Sequence, residues 1–465
     1  MNTDTIPTVY TMSAWGSSDF KSCDALLKRV EANDPQLTNL VILPIKTFGS
    51  AELDRVSAAL PKNTYLVSLH ASGHAVSPES LRRLGCAIMT NQRVVDVAVG
   101  SATMGDEGVC ALCEGLTTLT TTTLLQNPLE RMDFGYKGMS PLGFQAVIGL
   151  AAKSTKLWEL ILSRNPDIAA WTTTSITTSD RTSTSFFPSV TDLDLSACGI
   201  GESFSAEFFP RLWSVELQRI LRISHNPLGD QGVRPVFNAH LAKLYLSSCE
   251  IGDEFMEYIA SRHASIMPLT VLDLSSNQIS CTGAQFLSQC LYKKDDTQTE
   301  ACLGCLVDLS LTSNPLDDDG VVGLIHGLTR RYQQGLSPLR SVDLSETKCG
   351  VAGAVATVRD GQLASLRLFN NNLGPKGFHA LAETLRGGHA TLKSLDLAGN
   401  RADEASVVAL LGALLVQEAG FESVLQTLVV GGNQGGEEVE AMAKKIQELW
   451  PSIDIARDKI KRQNA

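Results

Sequence analysis

The stretch VLDLSSNQIS, Val271 to Ser280, sets leucines against an Asp, three serines and an Asn, and the meaning of those polar residues depends on how often the pattern returns. It returns as LTVLDLSSNQI (269 to 279), LVDLSLTSNPL (306 to 316), LASLRLFNNNL (363 to 373) and LKSLDLAGNRA (392 to 402), all in the frame LxxLxLxxNxL. The same frame fits copies starting at Leu157, Val190, Leu241 and Leu425, and weaker copies at Leu37, Leu66, Val94, Leu129, Gln218 and Leu339. Fourteen copies result, with Asn-equivalent positions Ile45, His74, Ala102, Lys137, Asn165, Cys198, Asn226, Cys249, Asn277, Asn314, Thr347, Asn371, Asn400 and Asn433. Spacings of 28 or 29 residues recur among them. A period of that length marks stacked supersecondary units, none of which can bury its apolar face alone.

Within one unit the leucines at frame positions one, four and six point inward, and the Asn satisfies backbone groups inside the turn. A Gly six residues after the Asn position recurs at Gly108, Gly143, Gly232, Gly283, Gly320, Gly353 and Gly377, where the chain packs closely. Helical spacing follows, as in GFHALAETL with Phe378, Leu381 and Leu385 three or four apart. Each unit therefore reads strand, turn, helix.

These repeats resemble the ribonuclease-inhibitor type of leucine-rich repeat, over roughly residues 37 to 455, and the alternation Asn165, Cys198, Asn226, Cys249, Asn277 is especially similar to that subclass. The resemblance implies an α/β fold: a right-handed horseshoe solenoid of about fourteen repeats, with a parallel sheet on the concave face and helices on the convex face. Residues 1–36 are expected to hold an N-terminal segment and capping helix, residues 37–455 the repeats, and residues 456–465 a basic tail. The apolar spacing of Cys23, Leu26, Leu27 and Val30 predicts the first cap; that of Val439, Met442, Ile446 and Leu449 predicts the last helix. WPSIDI, through Trp450, Ile453 and Ile455, predicts a closing half-repeat. A Thr/Ser-rich insertion at about 170–188 and a second at about 292–305 break the tiling. Eleven of the fourteen residues from Thr172 to Ser185 are Thr or Ser, which predicts an exposed loop where a helix belongs.

Composition narrows function. Hydrophobic residues make up 43% of the 465 and aromatics 6%, so the core is aliphatic and suits thin repeated layers. A formal net charge of -11 excludes general phosphate-backbone binding, and no nucleic-acid partner is expected. The N-terminus lacks a basic start and apolar run, and no stretch reaches the roughly 18 apolar residues that span a bilayer. Eleven cysteines, an odd number, read as reduced thiols in a cytoplasmic or otherwise intracellular compartment.

Candidate chemistry dissolves into the repeat. Asp133, Asp194, Asp343 and Asp396 share the frame position of Asp273, whereas a reactive carboxylate is singular and desolvated. LVVGGNQGGEE (428 to 438) imitates a phosphate loop but lacks the Lys-Ser/Thr step and carries Glu437 and Glu438 at the helix start. Cys110/Cys113 and Cys302/Cys305 have zinc-like spacing but lie many layers apart. No catalytic, cofactor-binding or metal-binding residue is assigned, and the chain is read as no enzyme.

Binding is expected on the concave strands, where frame positions three, five and seven face outward. Positions three and five are mainly acidic, and the departures mark the candidate contacts: Arg222, Lys243 and Tyr245 in adjacent layers, and Arg367 with Phe369 further along. Exposed Tyr, Phe and Arg are types enriched in binding hot spots. The expectation is a protein-interaction scaffold or regulatory subunit, part of a larger assembly, whose protein partner has a basic or mixed-charge surface. A Ran-type GTPase activator is the first alternative, although the end KIKRQNA is basic where that family is acidic. LLKRVEANDPQLTNLVI and AALPKNTYLVSLHAS, within residues 26 to 116, resemble tropomodulin-like actin pointed-end caps, the second alternative.

Overall fold

The computed structural model describes residues 21–117, 127–172, 185–212, 219–237, 241–261, 268–293, 301–387, 391–415 and 424–457. The chain forms two compact units, one of Met1–Asp194 with Arg211–Ser214, the other of Leu195–Pro210 with Val215–Ala465.

In the first unit, α1 (Asp24–Glu31) precedes β1 (Asn39–Val41), and the pattern continues through α2 (Ser50–Ala59), β2 (Ser68–Ser72), α3 (Pro78–Asn91), β3 (Asp96–Gly100), α4 (Gly105–Thr117), β4 (Arg131–Asp133), α5 (Pro141–Ala151), β5 (Glu159–Ile161) and β6 (Asp192–Asp194). The second unit holds α6 (Glu202–Phe208), β7 (Arg219–Arg222), α7 (Gly229–Phe237), β8 (Leu241–Tyr245), α8 (Asp253–Ser261), β9 (Val271–Asp273) and α9 (Cys281–Cys290). It goes on with β10 (Asp308–Ser310), α10 (Asp317–Gln333), β11 (Ser341–Asp343), α11 (Val351–Asp360), β12 (Ser365–Arg367), α12 (Gly374–Arg386), β13 (Ser394–Asp396), α13 (Glu404–Leu415), β14 (Thr427–Val429), α14 (Glu437–Leu449) and β15 (Asp454–Ala456). β1 to β14 fall on the fourteen copies of the frame, and β15 on the WPSIDI half-repeat.

Strands pair in sequence order and parallel within each unit, so equivalent frame positions stand side by side: Lys243 and Asp308 flank Val271, and Tyr245 and Ser310 flank Asp273. Three-residue strands are too short to persist alone, and their stability comes from the layer beneath. In the opening repeat Leu269, Leu272, Leu274 and Ile279 are all at most 2% exposed, and each such side chain contributes about 2 kcal/mol of burial.

The Asn ladder holds successive turns together. Asn277 Nδ2 donates to the carbonyls of Leu246 (2.8 Å) and Leu274 (2.9 Å), one in the preceding layer and one in its own, while its Oδ1 accepts from the N–H groups of Cys249 (2.9 Å) and Ile251 (3.1 Å). Asn165 and Asn226 repeat the arrangement in their own layers. The residue before the Asn position takes the left-handed conformation, as at Tyr136, Ser276 and Asn370, each with φ 55°.

A second ladder links the helices. Asp106, in the first turn of α4, accepts from the N–H groups of Ser140 (2.8 Å) and Gly143 (2.9 Å) at the start of α5. Asp230 does the same for Gly252 and Phe255, Asp253 for Ser280, and Asp318 for Gly353. Each carboxylate thus caps the helix of the next layer, meeting N–H groups that a helix start leaves open. The recurrent Gly makes room: a Cβ at Gly143 would lie 2.6 Å from Asp106 Oδ1.

The caps follow the expected spacing with differences at the margins. Leu27 and Val30 are buried in α1, and Val439 and Ile446 in α14, but Leu449, the last residue of α14, is 58% exposed. The exposed loop expected for the Thr/Ser-rich insertion falls on residues 173–184, outside the described residues; the aromatic residues on either side of it are packed. A 3-10 turn (Pro166–Ala170) follows β5, and Trp171 packs edge-on between Phe144 and Phe186, at 6.0 and 5.7 Å, with Phe187 also buried. Of the second insertion, residues 301–305 are described and are pinned from below by Arg331, which is 1% exposed and donates to the carbonyls of Leu303, Gly304 and Leu306 at 2.8 to 2.9 Å. The tail from residue 458 lies outside the described residues.

Candidate protein-binding face

Arg222 closes β7 and Tyr245 closes β8, and the register sets them directly opposite each other. The Arg222 guanidinium lies over the Tyr245 ring, 5.4 Å from its centroid. Such a stack holds a cation flat on an aromatic face. Lys243 stands two residues before Tyr245 on the same sheet face, opposite Ile220, where a register shift next to Arg219 turns that side chain into the interior. Burial lowers the Arg219 guanidinium to about 10. The fold therefore joins three of the five sequence candidates, Arg222, Lys243 and Tyr245, into one patch.

Arg367 and Phe369 form a separate group on and just past β12, about 19 Å away at four strand spacings. Arg367 is exposed and 3.4 Å from Asp343 on the neighbouring strand. Phe369 is half-buried, its ring set where a Cβ on Gly399 would reach it at 3.1 Å.

The acidic row of the strand face is not a free field of carboxylates. Asp273 Oδ1 accepts from the N–H and hydroxyl of Ser275; Asp343 does the same with Ser345, and Asp133 and Asp396 accept from Gly135 and Ala398 N–H at 2.8 and 2.9 Å. Each Asp thus ends its strand in an Asx-type turn, which uses one oxygen and leaves the other on the face. Desolvation raises the Asp396 carboxyl above its ordinary value, against the bond from Ala398 and the charge of Arg367.

In the first unit charges are matched on the face itself. Arg131 pairs with Asp96 (3.1 Å) on one side and Glu159 (2.9 Å) on the other, and His70 Nε2 lies 2.8 Å from Asp96. At its beginning the same face carries Val41, Leu43 and Ile45, each more than half exposed, which the sequence reading passed over as ordinary frame residues. Lys137 occupies an Asn position yet is 3% exposed; its Nζ reaches Ser72 at 3.3 Å, past the layer where Ala102 offers no side chain in the way. Burial lowers its ammonium below the usual lysine range.

Among the described residues no group of His, Cys, Asp and Glu could hold a metal ion, and no helix is long and apolar enough to cross a membrane. Cys110 and Cys113 lie in α4 as expected, and burial pushes both thiols up.

The strand, Asn turn and helix of each layer, repeated along the chain, make this a leucine-rich-repeat protein with units of the ribonuclease-inhibitor type. A Leucine Rich repeat family model matches residues 219–236, 237–260, 266–288 and 305–324. The chain is similar to ribonuclease inhibitor of Mus musculus, 24% identical over 413 residues, covering 81% of this chain and 86% of that protein. It is 29% identical to ribonuclease inhibitor of Sus scrofa over 44% of this chain and 50% of that one. It is 24% identical to mouse NACHT, LRR and PYD domains-containing protein 5 over 72% of this chain, yet spans only 30% of that protein's length. Proteins built this way serve as protein-binding scaffolds.

Proposed function

We propose that this chain is a non-catalytic scaffold or regulatory subunit, and that its second unit docks a protein partner of mixed charge on the strand face. The observation that carries the reading is the Arg222 guanidinium stacked on Tyr245 with Lys243 beside it. A flattened arginine on an aromatic ring combines apolar area with fixed donors, the combination that recurs at the centres of interfaces. Acidic groups of the partner would meet Arg222 and Lys243, and its basic groups the outward oxygens of Asp273 and Asp343. Arg367 with Phe369 would form a second contact, about 19 Å along the sheet. We place the repeat domain at residues 37–455, between an N-terminal cap and a basic tail, in an intracellular, reducing compartment.

Cross-linking mass spectrometry on affinity-purified complexes tests the site. Cross-links concentrated on Lys243, and a loss of partner recovery of about tenfold in Arg222→Glu with Tyr245→Ala, are expected for a hot-spot pair. Cross-links confined to the helices, with recovery unchanged in that variant, overturn the assignment. The names of the mouse and pig relatives make a ribonuclease one partner to assay directly. Substoichiometric stimulation of GTP hydrolysis would favour the GTPase-activator alternative, and inhibition of pyrene-actin elongation the actin-cap alternative; neither is expected.

A further inference from the structure

On the opposite side of the second unit, α9 and α10 leave a cleft of about 580 Å³ between them. Its floor is open because Gly323 and Gly327 present no side chains there, while Gly327 packs against the backbone of Ser288, where a Cβ would lie 2.7 Å from the carbonyl oxygen. Gln285, Gln289 and Tyr292 line one wall, His326 and Arg330 the other, and among the described residues no carboxylate lines either.

Arg330 is held in a defined pose. Its guanidinium lies 5.1 Å from the Tyr292 ring centroid, and Nη1 donates to the Tyr292 hydroxyl at 3.2 Å. Arg82, Arg83, Arg131, Arg359 and Arg386 all stand within 3.1 Å of an Asp or Glu oxygen. Among the described residues Arg330 makes no such pair, a property it shares with Arg164, Arg340 and Arg401; what sets it apart is the stack on Tyr292 at the wall of a cleft. A guanidinium carries five donors, of which the tyrosine takes one. In a chain of formal net charge -11, a cavity walled by an arginine, a histidine and two carboxamides, with no carboxylate among its described lining residues, differs in character from the chain as a whole. Its volume lies in the range of sites that take a small group.

We propose that this cleft binds an oxyanion, carboxylate or phosphate, carried on a side chain of a partner protein. Arg330 presents the planar donor edge that suits either group, Tyr292 fixes its plane, and the Gln285 and Gln289 amides with His326 complete the donor set. The site is independent of the Arg222 patch, on another face of the unit.

Arginine-specific modification tests it on the full chain. Phenylglyoxal labelling of each arginine is followed by peptide mass mapping, with three octapeptides, identical except for a central glutamate, phosphoserine or serine, as the protecting ligands. The expected result is slower labelling of Arg330 with the glutamate or the phosphoserine peptide, about threefold at twice the dissociation constant. The serine peptide should give no protection, and Arg359 should label at the same rate throughout. Which anionic peptide protects identifies the headgroup. His326→Gln should weaken the protection while the far-UV circular dichroism stays unchanged, and Arg222→Gln should leave it intact. Equal labelling of Arg330 with all three peptides, or protection that extends equally to Arg359, overturns the proposal.

Discussion

Replacing Asn277 by Ala removes one carboxamide from the interior of a turn and breaks bonds in two layers at once. The Leu246 carbonyl loses its donor and the N–H groups of Cys249 and Ile251 lose their acceptor, while the Leu274 carbonyl keeps its second donor, Asn314 Nδ2 at 2.8 Å. At about 1 kcal/mol for each of these three stranded backbone groups, the low end of the range for a buried unsatisfied donor or acceptor, the cost is about 3 kcal/mol. Asn277→Cys should cost about half as much. Cys249, which fills this position one layer earlier, gives weak sulfur contacts to the Ile223 and Ser247 carbonyls at 3.4 and 3.5 Å. The turn before a Cys layer also closes on itself, with Leu228 N–H donating to Asn226 O at 2.8 Å instead of to a side chain in the next layer. Urea unfolding followed by far-UV circular dichroism measures both variants, with an unchanged slope required for the comparison. An Asn277→Ala cost below about 1 kcal/mol, or a Cys variant as damaged as the Ala variant, would refute the view that the carboxamide bonds bind layer to layer.

Four further outcomes follow from the same contacts. Asp106→Ala should cost about 1 to 2 kcal/mol by uncapping α5, and Gly143→Ala a similar amount by crowding Asp106, with the double variant less damaged than the sum in a urea cycle. Arg331→Met should cost about 3 to 5 kcal/mol, since it removes a donor from the carbonyls of Leu303, Gly304, Leu306 and Ser337, of which only Leu303 keeps another, and should speed limited proteolysis near residues 301–306. Asp396→Asn should stabilise at pH 7: the folded carboxyl holds its proton above the ordinary value of 3.8, so charging it opposes folding, and the gain should fade as pH drops below about 4. Burial pushes the Cys249 and Cys349 thiols up to about 12, so both should resist iodoacetamide at pH 8 in the folded chain while exposed Cys305 reacts.

The layers were legible because their signal is redundant. Leu272, Leu274 and Asn277 recur at fixed offsets, and a one-residue error in any copy would turn its leucines outward, so the strands fall where the frame places them. The packing on either side of the Thr/Ser run was harder to read. Trp171 and Phe186 are fourteen or more residues apart across a Thr/Ser run, and only packing shows that they share one aromatic cluster with Phe144. The Arg222 and Tyr245 contact was foreseeable because both hold frame position five in consecutive copies. Arg330 with Tyr292 was not, because they lie on different helices 38 residues apart and outside the strand frame.

The acidic residues show how a formal charge count misleads about a binding face. Read as a surface property, the net of -11 suggests a basic partner along the whole concave side. In the folded chain Asp106, Asp230, Asp253 and Asp318 lie against helix N-termini of the next layer, and Asp133, Asp273, Asp343 and Asp396 against their own turns. A carboxylate that accepts backbone N–H bonds is held in place and partly neutralised by those dipoles, so it attracts a distant cation less than a solvated one. The pairings Arg131 with Asp96 and Glu159, and Arg367 with Asp343, reduce the field further. What remains distinctive is cationic: Arg222 on Tyr245 with Lys243 on the strands, and Arg330 on Tyr292 between the helices. An arginine flattened on a tyrosine is stiff before any partner arrives, so less side-chain entropy is lost on binding than a mobile lysine would lose. Recognition by this chain is therefore expected to depend on a few fixed cations set in an acidic framework whose negative charge chiefly holds the repeats together.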